Sequence, residues 1–276
     1  MAALYLVATP IGNLEDVTLR ALRVLREADL LLAEDTRRTR VLLERHGIAA
    51  RPRSLHAHNE GAREAEVLAA LAAGRDVALV SDAGTPLVSD PGARLVAAAL
   101  SAGHAVTPVP GPSAALAALS VSGLPALPFT LVGFPPRTAG ARRKLFEAYR
   151  ERPETLVLFE SPRRLAATLR DARDVLGERR ACVARELTKL HEEAVRGPLS
   201  ELAERFAGGA RGEVTLVIGG AAPARPDARV VDGRIRALLR AGSTPREIAA
   251  RLAGEAGIPK REVYARALAA RERAGK

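Results

Sequence analysis

Along roughly the first 220 residues, short apolar runs alternate with stretches of helical periodicity. Leu4–Ala8 reads as a strand, and Leu19, Leu22 and Leu25 then recur at helical spacing. Leu30–Ala33 reads as a second strand. Asp35 stands where a cap belongs, ahead of a helix that carries Val41 and Leu42 and stops at Gly47. Asn59 is predicted to cap a helix that ends at Gly74, and Val77–Val80 is the next strand. Asp90-Pro91 has the cap-then-proline order of a helix start, with Gly103 as the stop. Ala105–Val109 is another strand, and PGPSAALAAL leads from it into a helix.

This alternation predicts an α/β domain with a largely parallel sheet over residues 1–115. Phe129–Phe134, Thr155–Phe159, Ala181–Glu186 and Val214–Ile218 are predicted strands of a second α/β domain, residues 116–222. AAPARPDAR, residues 221–229, has two prolines and no periodicity and reads as a linker. The tail, 223–276, is predicted helical throughout. Ile235, Leu238 and Leu239 share one face, and Gly242 ends that helix. Thr244-Pro245-Arg246-Glu247 fits a capping box, and a last helix bears Val263, Ala267 and Leu268. Three short helices with a tight turn fit either a helix-turn-helix unit or an appendage used for packing or dimerisation.

Composition narrows the partners. The 276 residues are 47% hydrophobic but only 3% aromatic with no Trp, which argues against a surface of stacked aromatics for nucleic acid. The net charge of +10 favours anionic partners such as RNA, or reflects a bias towards Arg and Ala. Residues 225–276 hold 13 Lys and Arg against 6 Asp and Glu, so most of the excess lies in the tail. Cys182, the single cysteine, sits in the apolar run ACVAREL and reads as a buried strand residue. No apolar stretch approaches the ~20 residues of a membrane span. No basic region precedes the first strand, so a soluble cytoplasmic protein is expected.

The usual nucleotide signatures are missing: there is no G-x-G and no GxxxxGK[ST]. The five histidines lack ligand spacing, so no metal is expected. What remains is three Gly/Pro-rich loops at the ends of predicted strands: Thr9–Asn13, Ser81–Gly92 and Pro110–Ser113. In open α/β sheets ligands bind beyond the carboxyl ends of strands, where glycine allows close backbone approach and a helix start offers N–H groups. Three such loops in one domain, with Asp82 and Asp90, point to a ligand site.

TPIGNLED (9–16), AEDTR (33–37), HNE (58–60), SDAGTPLVSDPG (81–92) and PGPSAALAAL (110–119) run in one order with GFPPR (133–137), ESPRR (160–164), ELTKLHEE (186–193) and GEVTLVI (212–218). The series resembles the tetrapyrrole-methylase-like methyltransferases, and within them the ribosomal RNA small subunit methyltransferase I group. The resemblance implies a two-domain α/β fold with a cleft between the domains, usually dimeric, that binds S-adenosylmethionine. It implies 2′-O-methylation of a cytidine in the decoding centre of small-subunit (16S) ribosomal RNA, met as free RNA or as the assembled 30S subunit. By position it implies cofactor contacts from Pro10, from Asp82, Ala83, Gly84, Thr85 and Pro86, and from Asp90. Ser113 and Ala114, Phe159 and Glu160, and Glu213, Val214 and Thr215 complete that set.

Methyl transfer to oxygen needs alignment above all, and a base adds less. Candidates for the base or the ribose clamp are Glu34, Asp35, His58, Glu60, Glu186, Lys189 and Glu192. Asp35 also suits a helix cap, and Glu34 also suits an ion pair with Arg37 or Arg38. The hypothesis carried forward is that Lys189, with Glu34 or Asp35, positions and deprotonates the 2′-hydroxyl. Arg37, Arg38, Arg137, Arg163 and Arg164 are the candidate phosphate contacts of the core, each equally suited to a surface salt bridge. The tail is expected to add non-specific RNA affinity. Two rival readings stand: a methylase of a small tetrapyrrole-type substrate, and a non-catalytic RNA-binding protein.

Overall fold

The computed structural model describes residues 2–56, 59–222, 228–256 and 258–274, so His58 and part of the predicted linker lie outside the described residues. The chain divides into two compact units, Met1–Gly220 and Ala221–Lys276.

The first unit opens with β1 (Ala3–Val7), α1 (Leu19–Glu27), β2 (Leu30–Ala33), α2 (Thr36–Arg45) and the two-residue β3 (Arg53–Ser54). It continues with α3 (Glu60–Ala72), β4 (Val77–Val80), α4 (Ala93–Ser101), β5 (Ala105–Val109) and α5 (Ala114–Val121). The strands form one sheet in the order β3-β2-β4-β1-β5, with every pairing parallel. Helices cover both faces, so β2 and β4 are buried along their whole length and read as unbroken apolar runs. Leu22, Leu25, Leu42 and Leu43 pack on one face. Leu4, Leu32, Val67 and Leu95 pack on the other. Leu19 is 86% exposed, because each three-residue step falls ~60° short of a full turn and carries it off the buried stripe.

Two predicted caps are corrected. The Asn59 side chain makes no cap bond to α3. It accepts from His56 N (2.8 Å) and donates to Ser54 O (3.0 Å), closing the turn before the helix instead. Asp90 does not start α4 either; the cap position is Gly92, at φ 117°. The first N–H groups of α4, those of Arg94 and Leu95, donate to Glu60 Oε1 at 3.2 and 3.4 Å. Glu60, a candidate base, is thus the buried acceptor that caps a neighbouring helix.

A second sheet follows, built from β6 (Phe129–Gly133), β7 (Thr155–Glu160), β8 (Arg180–Arg185), β9 (Glu193–Pro198) and β10 (Val214–Ile218) in the order β6-β7-β10-β8-β9. Its helices are α6 (Ala139–Glu147), α7 (Leu165–Leu176) and α8 (Leu199–Arg205). The four predicted strands are present. The fifth, β9, is a polar edge strand, EAVRGP, with no apolar run to announce it. β10 runs antiparallel to both β7 and β8, so this sheet is mixed. Phe146, Leu158, Leu169 and Leu199 fill one of its faces. On the other, Ala115, Ala118 and Leu119 of α5 pack against Val157, Val217 and the buried Cys182.

The second unit is three helices, α9 (Ala228–Arg240), α10 (Pro245–Ala256) and α11 (Lys260–Ala274), around Ile235, Ile248, Leu252 and Val263. The predicted capping box is formed: Thr244 N donates to Glu247 Oε2 (2.8 Å) and Glu247 N to Thr244 Oγ1 (3.3 Å). No described helix is long and apolar enough to cross a membrane.

Candidate functional site

The three Gly/Pro-rich loops follow β1, β4 and β5, which are neighbours in the parallel sheet, so all three emerge at one edge. The first two are stapled together. Thr9 and Gly84 exchange backbone hydrogen bonds, both of 2.9 Å. Thr9 Oγ1 donates to Ser81 O, and Ser81 Oγ to Gly84 O, each at 3.1 Å. Between them the chain turns through Gly84 (φ 81°), Leu87 (φ 73°), Ser89 (φ 73°) and Gly92 (φ 117°). Left-handed backbone at Leu and Ser is uncommon and persists only where the surroundings hold it, often beside a ligand.

These loops wall a cleft of about 360 Å³, closed on its other sides by Phe134, Phe159–Pro162, Ala184, Leu187 and Gly212–Thr215. Asp82, Ala83, Gly84, Thr85, Asp90, Ser113, Ala114, Phe159, Glu160, Glu213, Val214 and Thr215 all line it. Pro10 does not line it, and Pro86 lines a small adjoining pocket shared with Glu34 and Asp90. Ile11, Val88, Ser89, Phe134, Ser161, Pro162, Leu187 and Gly212 also face the cleft. Each lies inside a motif already singled out, and only Ala184, on β8, falls outside them. The Phe134 and Phe159 rings sit 5.6 Å apart and tilted, with Phe134 60% exposed at the rim.

Carboxyl groups gather at one side: Asp82 and Asp90 line the cleft, while Glu34 lines only the adjoining pocket and Asp35 neither. Burial, then repulsion from Asp82, raises the Glu34 carboxyl above its ordinary value, with the hydrogen bond to Asp90 pulling the other way. Burial, repulsion from Glu34 and the bond between the two push Asp90 up to about 7. Glu34 and Asp90 therefore hold a proton between them near neutrality. Asp82 Oδ1 accepts from Asp35 N at 2.7 Å, while its other oxygen lies 3.8 Å from Arg38 Nε. Asp35 is engaged elsewhere: it caps α2 through Arg37 N (2.9 Å) and pairs with the Arg37 guanidinium (2.7 Å). Those hydrogen bonds hold its carboxyl well below the usual range.

Of the ELTK segment only Leu187 lines the cleft; Lys189 does not, and reaches it through its ion pair with the lining residue Glu213. Lys189 Nζ donates to Glu186 Oε1 (2.9 Å) and Glu213 Oε2 (3.1 Å). Partial burial works against its charge, but the two carboxylates outweigh it and its pKa is raised. The segment is pressed onto the first loop: Asn13 N donates to Thr188 Oγ1 at 3.0 Å. A Cβ on Gly12 would stand 2.6 Å from Lys189 Cγ and 2.8 Å from Thr188 Oγ1, so only glycine fits. Glu192 Oε2 accepts from Thr188 N at 2.5 Å and braces the same turn.

Glu160 and Arg164 form a support. Glu160 is buried, accepting from Ser161 N (2.7 Å) and Thr168 Oγ1 (2.5 Å), and pairs with Arg164 Nε at 3.1 Å. Arg164 Nη2 also donates to Pro135 O at 2.6 Å, so it ties the GFPPR turn to β7. Arg37, Arg38, Arg137 and Arg163 are exposed.

The family of Tetrapyrrole (Corrin/Porphyrin) Methylases matches residues 3–203. Ribosomal RNA small subunit methyltransferase I of Mesorhizobium japonicum is 47% identical over 99% of this chain and 94% of its own length. The protein of the same description from Thermotoga maritima is 48% identical over 80% of this chain and 99% of its own. Among solved structures, uroporphyrin-III-C-methyltransferase from Thermus thermophilus superposes with a TM-score of 0.57 and 25% identity, over 79% of this chain and 94% of that one. With its parallel first sheet, its mixed second sheet and the cleft at the loops after β1, β4 and β5, the chain belongs to the tetrapyrrole methylase family, within the group formed by the ribosomal RNA small subunit methyltransferases I.

Proposed function

We propose that the chain uses S-adenosylmethionine to methylate small-subunit ribosomal RNA, at the ribose 2′-oxygen of a cytidine in the decoding region. The observation that carries this reading is that the loops bearing the family resemblance wall a single cleft of about 360 Å³, a volume suited to one small molecule. The lining fits the methyl donor. Ile11, Ala114, Phe159, Ala184 and Leu187 offer apolar walls for adenine. The N-terminus of α5, behind Ser113, suits a carboxylate, and Asp82, Asp90 and Glu213 face the ammonium and sulfonium charges. Pro10 and Pro86 shape the turns beside it.

When bound, the donor supplies an activated methyl carbon whose bond to sulfur breaks with the electron pair left on sulfur. The chain's own task is alignment, worth ~7–11 kcal/mol in favourable cases, and removal of one proton, worth ~10²–10⁴-fold. Glu34, whose carboxyl is raised above its ordinary value by burial and by Asp82, takes that proton from the 2′-hydroxyl as the new carbon–oxygen bond forms, with Asp90 beside it. Lys189 keeps its own proton and donates to the hydroxyl oxygen, orienting it. Asp35 acts through α2, which it caps, and through Asp82. Arg37, Arg38, Arg137 and Arg163 meet phosphates, whereas Arg164 holds the GFPPR turn against which the RNA lies.

The substrate is free ribosomal RNA or the assembled subunit, met in the cytoplasm, and the partner is a second copy of the chain. The exposed Leu116 and Val121 of α5, with Leu127 and Leu131, suit such a contact. Tritiated methyl transfer onto isolated small subunits, followed by nuclease mapping, tests the reading. Label on one cytidine 2′-oxygen supports it. Label only on a tetrapyrrole offered in parallel supports the small-molecule rival. No heat of S-adenosylmethionine binding by calorimetry supports a non-catalytic RNA binder.

A further inference from the structure

The second unit has a face that its own core does not use. Ile248, Leu252, Val263 and Ala267 are the buried sides of α10 and α11. Away from them, Arg246 near the start of α10 and Lys260, Arg261 and Tyr264 in the first turns of α11 line an open hollow of about 470 Å³ floored by Ala249. Tyr264 is 43% exposed, although burial of its ring would favour the fold. Among the described residues no acidic side chain lines the hollow. Arg246, Lys260 and Arg261 make no ion pair among the described residues, whereas the nearby Arg266 is held by Asp232 at 3.1 Å and Glu262 at 3.8 Å.

Helix chemistry argues against cations at these positions. The N-terminal turn is the positive end of the helix dipole and favours carboxylates. Three cations kept there, unpaired, and beside an exposed aromatic ring, are local conflicts of the kind that mark a function outside the helices. The charge complements a run of phosphates, to which the positive ends of both helix dipoles add. An exposed ring beside the cations matches an unstacked base better than a protein surface, and a single-stranded segment supplies both.

We propose that this hollow is a contact for the phosphate backbone of single-stranded ribosomal RNA, with Tyr264 stacking on one base; the inference rests on RNA being the substrate. The hollow adds affinity and leaves the chemistry to the cleft. The Thermotoga relative aligns along 99% of its length with 80% of this chain, about the share that Met1–Gly220 occupies.

The test uses the full chain and two probes, a 20-nucleotide single-stranded RNA and isolated small subunits. Arg246→Gln, Lys260→Gln and Arg261→Gln combined remove three phosphate contacts. At ~0.7 per single-strand contact, the slope of log K against log salt should fall by about 2, and binding at 0.1 M salt should weaken on the order of 100-fold. Tyr264→Ala should weaken binding about 10-fold with the slope unchanged. A control with the same change of charge, Arg170→Gln, Arg236→Gln and Arg240→Gln, should lose much less. An unaltered slope in the first variant, or an equal loss in the control, overturns the assignment. Weaker binding to subunits with oligonucleotide binding intact also overturns it, in favour of a ribosomal protein contact. Wild-type protein that binds neither probe overturns the RNA reading itself, and the hollow with it.

Discussion

Replacing Asp90 by Asn should make the protein more stable at alkaline pH and change little at acid pH. The group's folded pKa is about 7 against an ordinary 3.8. A raised folded pKa contributes stability that is fully present below the unfolded value and is lost as pH rises through the folded one. Between pH 5 and 8.5 the wild type should therefore lose what the Asn variant, permanently neutral, keeps. Two pH units lie between pH 5 and the folded pKa, which at ~1.4 kcal/mol per unit gives a ceiling of about 3 kcal/mol. Asp90 opens onto the cleft and shares its proton with Glu34, so solvent screening and coupling reduce this to roughly 1.5 kcal/mol. Asn also preserves a donor towards Glu34, as protonated Asp90 does, so the pair's geometry survives. The measurement is urea unfolding followed by circular dichroism at pH 5 and 8.5 for both proteins, taking the difference between them so that the other carboxylates cancel. Parallel pH dependences, or a variant that is less stable at pH 8.5 than at pH 5 relative to wild type, would refute the shared proton.

Glu34→Gln should lower kcat ~10²–10⁴-fold and flatten its rise with pH, whereas Asp35→Asn should keep that rise; equal pH profiles in steady-state methyl transfer would remove Glu34 as the proton acceptor. Lys189→Met should cut kcat while calorimetry shows cofactor binding little changed, since the ammonium is assigned to the hydroxyl. An intact kcat would leave it a brace between Glu186 and Glu213. Gly92→Ala should cost about 3 kcal/mol or more, seen as a lowered Tm. Its φ is 117° and the new Cβ would stand 2.8 Å from Leu79 Cδ2 and 3.0 Å from Leu87 Cδ2. Arg142→Met should cost about 3 kcal/mol by the same assay. It strips Asp171, 6% exposed, of the buried partner that holds it, leaving only Arg143 at 2.7 Å.

Most of the first sheet was legible because its central strands β2 and β4 are buried along their whole length and each strand is followed by a helix, so the apolar runs and stops appear in plain order. β3 and β9 were not, for opposite reasons. β3 is two residues long, too short for any period, while β9 is an edge strand whose exposed side lets polar residues stand. The direction of β10 was hidden as well. It enters between β7 and β8 and pairs antiparallel with both, and no local pattern records which gap a strand will fill. Position along the chain was a good guide to the cleft, since loops at the ends of neighbouring parallel strands must converge. It was a poor guide to Arg164, whose guanidinium turns inward to Glu160 and the Pro135 carbonyl.

The misread cap at Asp90 shows why local chemistry and the site diverge at this loop. Asp-Pro before an apolar run ordinarily begins a helix, and an Asp so placed gives its oxygens to the first N–H groups. Here the left-handed turn at Gly92 delays the helix to Ala93, and Glu60, reaching over from α3, accepts from Arg94 N and Leu95 N. The capping task is thus moved to a residue 30 or more positions away, and Asp90 is released to face Glu34. That transfer depends on the packing of α3 against α4, with Leu55 and Leu79 behind it, and none of those contacts is local in sequence. A carboxylate kept as a helix cap would sit among N–H donors with its pKa lowered; freed of them and buried beside Glu34, it is raised instead. The same glycine that cannot be replaced for steric reasons is therefore what allows the loop to carry a proton-holding group, and a cap restored at Asp90 would remove it.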